Sequence, residues 1–164
     1  DGIRDKLVTG VQTCALPISW NALGVLAEDP KQAEVDFRRA FECDPDSMDA
    51  ALNLGALLLK TGRAEEAFDY NRRAAMELPS DPQAQAQFGM NLYQQGKLAD
   101  AERALVAVKR IDPRHASRPQ LFLAEIYSRR GEKARAAAEL EELLSTRPDA
   151  QLQRTIEGAI ARLR

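Results

Sequence analysis

The 164 residues carry 23 Lys and Arg against 25 Asp and Glu, with one histidine and two cysteines. A formal charge of −2 supplies no basic field for nucleic acid or an anionic membrane, and so few His and Cys side chains assemble neither an ordinary zinc site nor a disulfide framework. No apolar run approaches the length of a bilayer span, and a composition rich in Ala, Leu, Glu, Arg and Gln predicts an all-α chain, long enough for one domain with a continuous core.

Asp1–Ser19 resembles the in-frame translation of a short-read sequencing-library adapter. The segment is therefore set aside as non-native, expected to contribute little to the fold, with the native N-terminus and any export signal lying elsewhere. Setting Cys14 aside with it leaves Cys43 as a lone thiol, read as a small, partly buried apolar residue.

From Trp20 the same residue types return at a fixed step. Ala33, Ala67 and Ala101 lie 34 apart, as do Pro45, Pro79 and Pro113, while Ala136 and Pro148 follow 35 later. Gly62, Gly96 and Gly131 keep the beat, as do Leu54-Gly55, Phe88-Gly89 and Leu123-Ala124. Such a period marks a stack of supersecondary units, none able to bury its apolar face alone. It divides the chain into units 20–47, 48–81, 82–115 and 116–149, followed by 150–164.

Unit 20–47 is three residues short between Gly24 and Ala33, so its first helix should lose about a turn and end near Glu28-Asp29-Pro30. In unit 48–81, Ala51, Leu54, Gly55 and Leu58 form the stripe of one helix, which Thr61-Gly62-Arg63 stops. A second helix carries Ala64, Ala67, Phe68 and Ala74 and ends near Leu78-Pro79. Gly55 and Ala67 are small where the paired helices must cross closely. One extra residue enters the link Arg114–Pro119. After Pro148, Leu152, Ile156, Ile160 and Leu163 line one side of a last helix that Asp149 should cap, suited to closing the exposed end of a stack.

Catalytic chemistry finds no foothold. His115 sits in a link with Ser117 only two residues away, which reads as a solvated turn rather than a base and its nucleophile. The glycines are spread at repeat spacing and form no phosphate loop, and Glu65-Glu66 and Glu141-Glu142 read as solvated helix faces. No catalytic residue, cofactor or metal ligand is assigned.

Trp20-Asn21-Ala22-Leu23-Gly24, followed by Ala33, Phe37, Ala40 and Pro45, resembles the tetratricopeptide repeat, and the likeness runs from Trp20 to Pro148. Departures are Asn71 where the family prefers an aromatic, and Val108 and Leu143 at usually small positions. The resemblance implies a right-handed superhelical solenoid of helix-turn-helix units with a C-terminal capping helix, first helices lining a concave groove and second helices facing outward. It implies a non-catalytic protein–protein interaction scaffold that binds a peptide or amphipathic helix, similar to bacterial envelope and pilus-assembly adaptors. The alternative is a docking segment of a larger bacterial enzyme, and recognition of RNA is disfavoured without a basic inner face.

On the first helices a second stripe supplies the groove candidates: Leu52, Ala56, Leu59 and Lys60, then Ala86, Met90, Tyr93 and Gln94, then Leu121, Glu125, Ser128 and Arg129. The groove would be apolar in the middle and charged toward the C-terminal end. Packing between adjacent first helices competes for Leu52 and Ala56, which leaves Met90 and Tyr93 as the foremost ligand residues. The cationic clamp by which some tetratricopeptide domains hold a C-terminal carboxylate is absent, since the matching places hold Asn21, Val25, Asn53, Gln83 and Gln87 and only Asn53 agrees. The expected partner is a protein or peptide, in the bacterial cytoplasm or periplasm.

Overall fold

The computed structural model describes residues 17–164, with side chains from Trp20 onward. The adapter reading lies outside the described residues, save that the backbone of Pro17, Ile18 and Ser19 opens the first helix. The helices are α1 (Pro17–Leu26), α2 (Pro30–Cys43), α3 (Met48–Lys60), α4 (Ala64–Glu77), α5 (Pro82–Gln94), α6 (Leu98–Ile111), α7 (Pro119–Arg129), α8 (Lys133–Ser145) and α9 (Ala150–Leu163). No strand occurs among the described residues. The contacts pair α1 with α2, α3 with α4, α5 with α6 and α7 with α8, while α9 packs on α8. Where length suggested one domain, two compact units form, Asp1–Leu78 and Pro79–Arg164.

Local rules account for the helix ends. Asp29, Ser47, Asp81 and Asp149 cap α2, α3, α5 and α9, each side chain accepting from a backbone N–H of the first turn. Within each of the last three pairs the first helix ends in a left-handed glycine. At Gly62, Gly62 N donates to Leu59 O at 3.1 Å and Arg63 N to Leu58 O at 2.8 Å, the Schellman pattern. The φ values of Gly62, Gly96 and Gly131 are 77°, 74° and 75°, and no atom stands near a prospective Cβ, so backbone conformation alone calls for glycine. The short first unit is visible as well: α1 ends two residues beyond Gly24, whereas α3 runs five beyond Gly55.

The paired helices cross where the sequence is small. A Cβ on Gly24 would meet Phe37 Cε1 at 2.5 Å, and one on Gly89 would meet Leu105 Cγ at 2.9 Å. On Gly55 it would run into the Asn71 side chain, with Cγ at 2.9 Å. Around these crossings Leu54 and Leu58 form the core of the first unit, and Leu105, Leu123, Ile126 and Ile156 that of the second.

Charged side chains tie the second helices α2 and α6 to the turn inside the next helix pair. In the first unit Glu34 accepts from Arg63 Nη1 at 2.6 Å and Arg38 Nε at 2.9 Å. The Arg63 guanidinium above all, and Arg38 with it, outweighs burial and holds the Glu34 carboxyl below its usual range. Glu102 stands at the equivalent place in the second unit, accepting from Arg130 Nη1 at 2.5 Å, Tyr127 Oη at 2.9 Å and Arg135 Nη2 at 3.0 Å. Burial pushes its carboxyl up, but the three donors together bring it below the ordinary value. Tyr127, pushed up to about 12 by burial and by Glu102, stays a donor.

Candidate peptide-binding surface

The predicted groove residues fall into two groups. On α3, Leu52 and Leu59 are only 6% and 5% exposed. Such burial fits packing side chains, the outcome that competes for Leu52, rather than contact residues. Ala56 is partly covered, and Lys60 stands exposed in the last turn of α3. Asn53, the lone match to a carboxylate clamp, is occupied within the fold, its Nδ2 donating to Asn21 Oδ1 at 2.9 Å.

On α5 and α7 the second unit brings the remaining candidates together. Tyr93 is half-buried, its ring meeting Phe122 edge-on at 5.5 Å between centroids and 73° between planes. The Arg129 guanidinium lies 5.0 Å from the Tyr93 ring centre, and its Nη2 donates to Tyr93 Oη at 2.9 Å. Its Nε donates to Glu125 Oε1 at 3.0 Å. Edge-on packing and a stacked guanidinium hold the ring in one orientation. Burial pushes the Tyr93 hydroxyl upward, Glu125 adds to the push and Arg129 opposes it, which keeps the phenol protonated. Met90, half-buried one turn earlier on α5, and Gln94, exposed beside Tyr93, complete this side.

Beside this cluster runs a cleft of about 440 Å³ lined by α7, α8 and α9. Its floor includes Leu121, Ala124, Leu140 and Leu163, and its edges carry Glu125, Lys133 and Arg162. Glu125 is paired with Arg129, whereas Lys133 and Arg162 hold no carboxylate among the described residues. Sequence patterning missed Phe122 and this cleft. Phe122 meets Tyr93 across 29 residues that no helical spacing connects, and the cleft exists only because α9 closes against α8.

Among the described residues no cluster of three His, Cys, Asp or Glu side chains is placed to hold a metal ion, and no helix is long and apolar enough to cross a membrane. His115 Nδ1 lies 2.8 Å from Ser117 Oγ in the link before α7.

Models of the tetratricopeptide repeat match residues 25–87 and 87–151. A comparison with curated proteins finds no match. Among solved structures, YrrB, described as a TPR protein with an unusual peptide-binding site, is similar with a TM-score of 0.74 at 27% identity, over 84% of this chain and 71% of that one. PilF of Pseudomonas aeruginosa gives 0.75 at 20% identity, over 93% and 69%. MamA of Desulfovibrio magneticus RS-1 gives 0.72 at 19%, over 79% and 74%. The latter two speak for the fold alone. The two matched segments meet within α5 and together span most of the chain, and the chain belongs to the tetratricopeptide repeat family.

Proposed function

We propose that this chain is a non-catalytic interaction scaffold and that the α5 and α7 face of its second unit, with the adjoining cleft, takes a peptide or amphipathic helix of another protein. The observation that carries the reading is the Tyr93 ring, a half-buried aromatic braced by Phe122 and Arg129 on the first-helix face. Neither the α5/α6 nor the α7/α8 crossing needs that ring for its own closure. Met90 and Tyr93 would hold apolar side chains of the ligand, and Lys133 and Arg162 would favour acidic ones. The peptide-binding description of YrrB supports the same class of ligand.

The test is selection of peptides from a displayed library on the immobilised full chain, followed by measurement of Kd for the selected sequences. Tyr93→Ala and Met90→Ala should each weaken binding by about 1 to 3 kcal/mol with Tm nearly unchanged. Arg129→Ala should cost less and lose its effect at high salt. Undiminished affinity in the Tyr93 and Met90 variants would move the ligand to another face.

A further inference from the structure

The links between helix pairs are purely acidic early in the chain and gain arginines later. Asp44 and Asp46 precede α3 and Asp81 precedes α5, whereas Asp112, Arg114, His115 and Arg118 precede α7 and Arg147 and Asp149 precede α9. In the second unit these last two links line one pocket of about 450 Å³, with Asp149 and Gln120 also in its wall. That volume lies in the range of small-ligand clefts.

Its arginines differ from the others already described. Arg63 and Arg130 each hold a glutamate at 2.5 to 2.6 Å. Arg114 and Arg147 hold no carboxylate among the described residues, and Arg118 reaches only Asp149 Oδ2, at 4.0 Å. Asp149 is itself committed to the cap of α9, its Oδ1 accepting from Leu152 N at 2.9 Å. Arg118 and Arg147 are also the two non-glycine residues with positive φ among the described residues, 50° and 57°. Glycine would take that backbone without strain, yet both positions carry a guanidinium. His115 Nδ1 accepts from Ser117 N at 3.3 Å, which places the proton of the neutral ring on Nε2 as a further donor. The frame is rigid: Gln120, 1% exposed, donates to Pro113 O at 3.0 Å and to Glu142 Oε1 at 3.1 Å, fastening the link to α8.

We propose that this pocket is an anion site for a phosphate monoester. Three guanidinium forks against one aspartate leave an excess of two positive charges, which matches a monoester of roughly −1.5 to −2 with three free oxygens. A carboxylate offers one charge and two oxygens and is satisfied by a single fork, and a phosphodiester likewise carries one charge. The site goes beyond the first-helix surface and shares no residue with it.

Calorimetric titration of the full chain at fixed ionic strength tests this with inorganic phosphate, a phosphoserine peptide, its unphosphorylated counterpart and acetate. Both phosphate probes should bind and compete with each other, at least about tenfold tighter than acetate or the unphosphorylated peptide. Arg118→Gly and Arg147→Gly suit their backbone, so Tm should hold or rise while phosphate affinity falls about tenfold. Arg114→Gln should weaken it without touching the backbone. A phosphopeptide that binds well above inorganic phosphate assigns the group to a protein partner; equal affinities assign it to a free small phosphate. Phosphate no tighter than acetate, or affinity unmoved by all three substitutions, overturns the site. Tyr93→Ala should leave phosphate binding intact, which separates this site from the peptide surface.

Discussion

At the α3/α4 crossing in the first unit and the α5/α6 crossing in the second, one geometry holds two chemistries. Gly55 and Gly89 are 34 residues apart, and so are the side chains they face, Asn71 and Leu105. Both facing side chains branch at Cγ, and in each case that atom lies 2.9 Å from where the glycine would carry a Cβ. Both are sealed, at 0% exposure. Leu105 fills its site with methyl groups, whereas neither Nδ2 nor Oδ1 of Asn71 has a hydrogen-bond partner among the described residues. These two crossings therefore share side-chain shape and differ in polarity, while at the first crossing Gly24 faces the larger Phe37. At these two facing positions Asn71 carries a desolvation penalty that Leu105 does not.

Exchanging the two side chains tests that comparison. Leu105→Asn should have the largest effect, a loss of about 3 to 4 kcal/mol, because it removes buried methyls and strands an amide in their place. Urea unfolding would read it as a lowered midpoint. Asn71→Leu should act in the opposite direction, gaining about 1 to 2 kcal/mol by relieving an unpartnered amide in a site of matching shape. A destabilised Asn71→Leu would break the comparison, since the amide would then have a structural role that Leu105 does not share.

The smallest effect concerns a place where the two units agree. Glu34 and Glu102 both sit below the ordinary carboxylate range because arginines hold them. A carboxyl depressed in the folded state adds stability above its unfolded pKa of about 4.3 and loses it as pH falls through the folded value. Acid unfolding should therefore become less steep below about pH 4.5 in Glu34→Gln and Glu102→Gln, by well under about 1 kcal/mol each. Unchanged acid profiles in both variants would remove these ties from the account.

Much of the fold was legible because its determinants are local. Glycine at the turn inside each of the last three helix pairs, Asp or Ser ahead of a helix, and a small residue at each crossing are fixed by backbone and packing rules within one unit. Asn71 stood out in the sequence as a departure, although its isolation in the core was visible only in three dimensions. The site was half legible. Periodicity put Leu52 and Leu59 on the same face as Met90 and Tyr93, but whether a face is covered depends on neighbours that no single helix specifies. The bracing of Tyr93 by Phe122 and the meeting of Arg114, Arg118 and Arg147 depend on contacts between distant segments. The extra residue in the Arg114–Pro119 link hinted that the turn was unusual, without indicating that it forms a pocket.

The central functional claim is that the ligand lies on the first helices of the second unit. Amide chemical-shift mapping of the full chain, titrated with a library-selected peptide, tests it most directly. The account predicts shifts concentrated at Met90, Tyr93, Glu125 and Arg129, with the exposed positions Arg103 on α6 and Ala138 on α8 unmoved. Shifts centred on α6 and α8, with α5 and α7 silent, would contradict it.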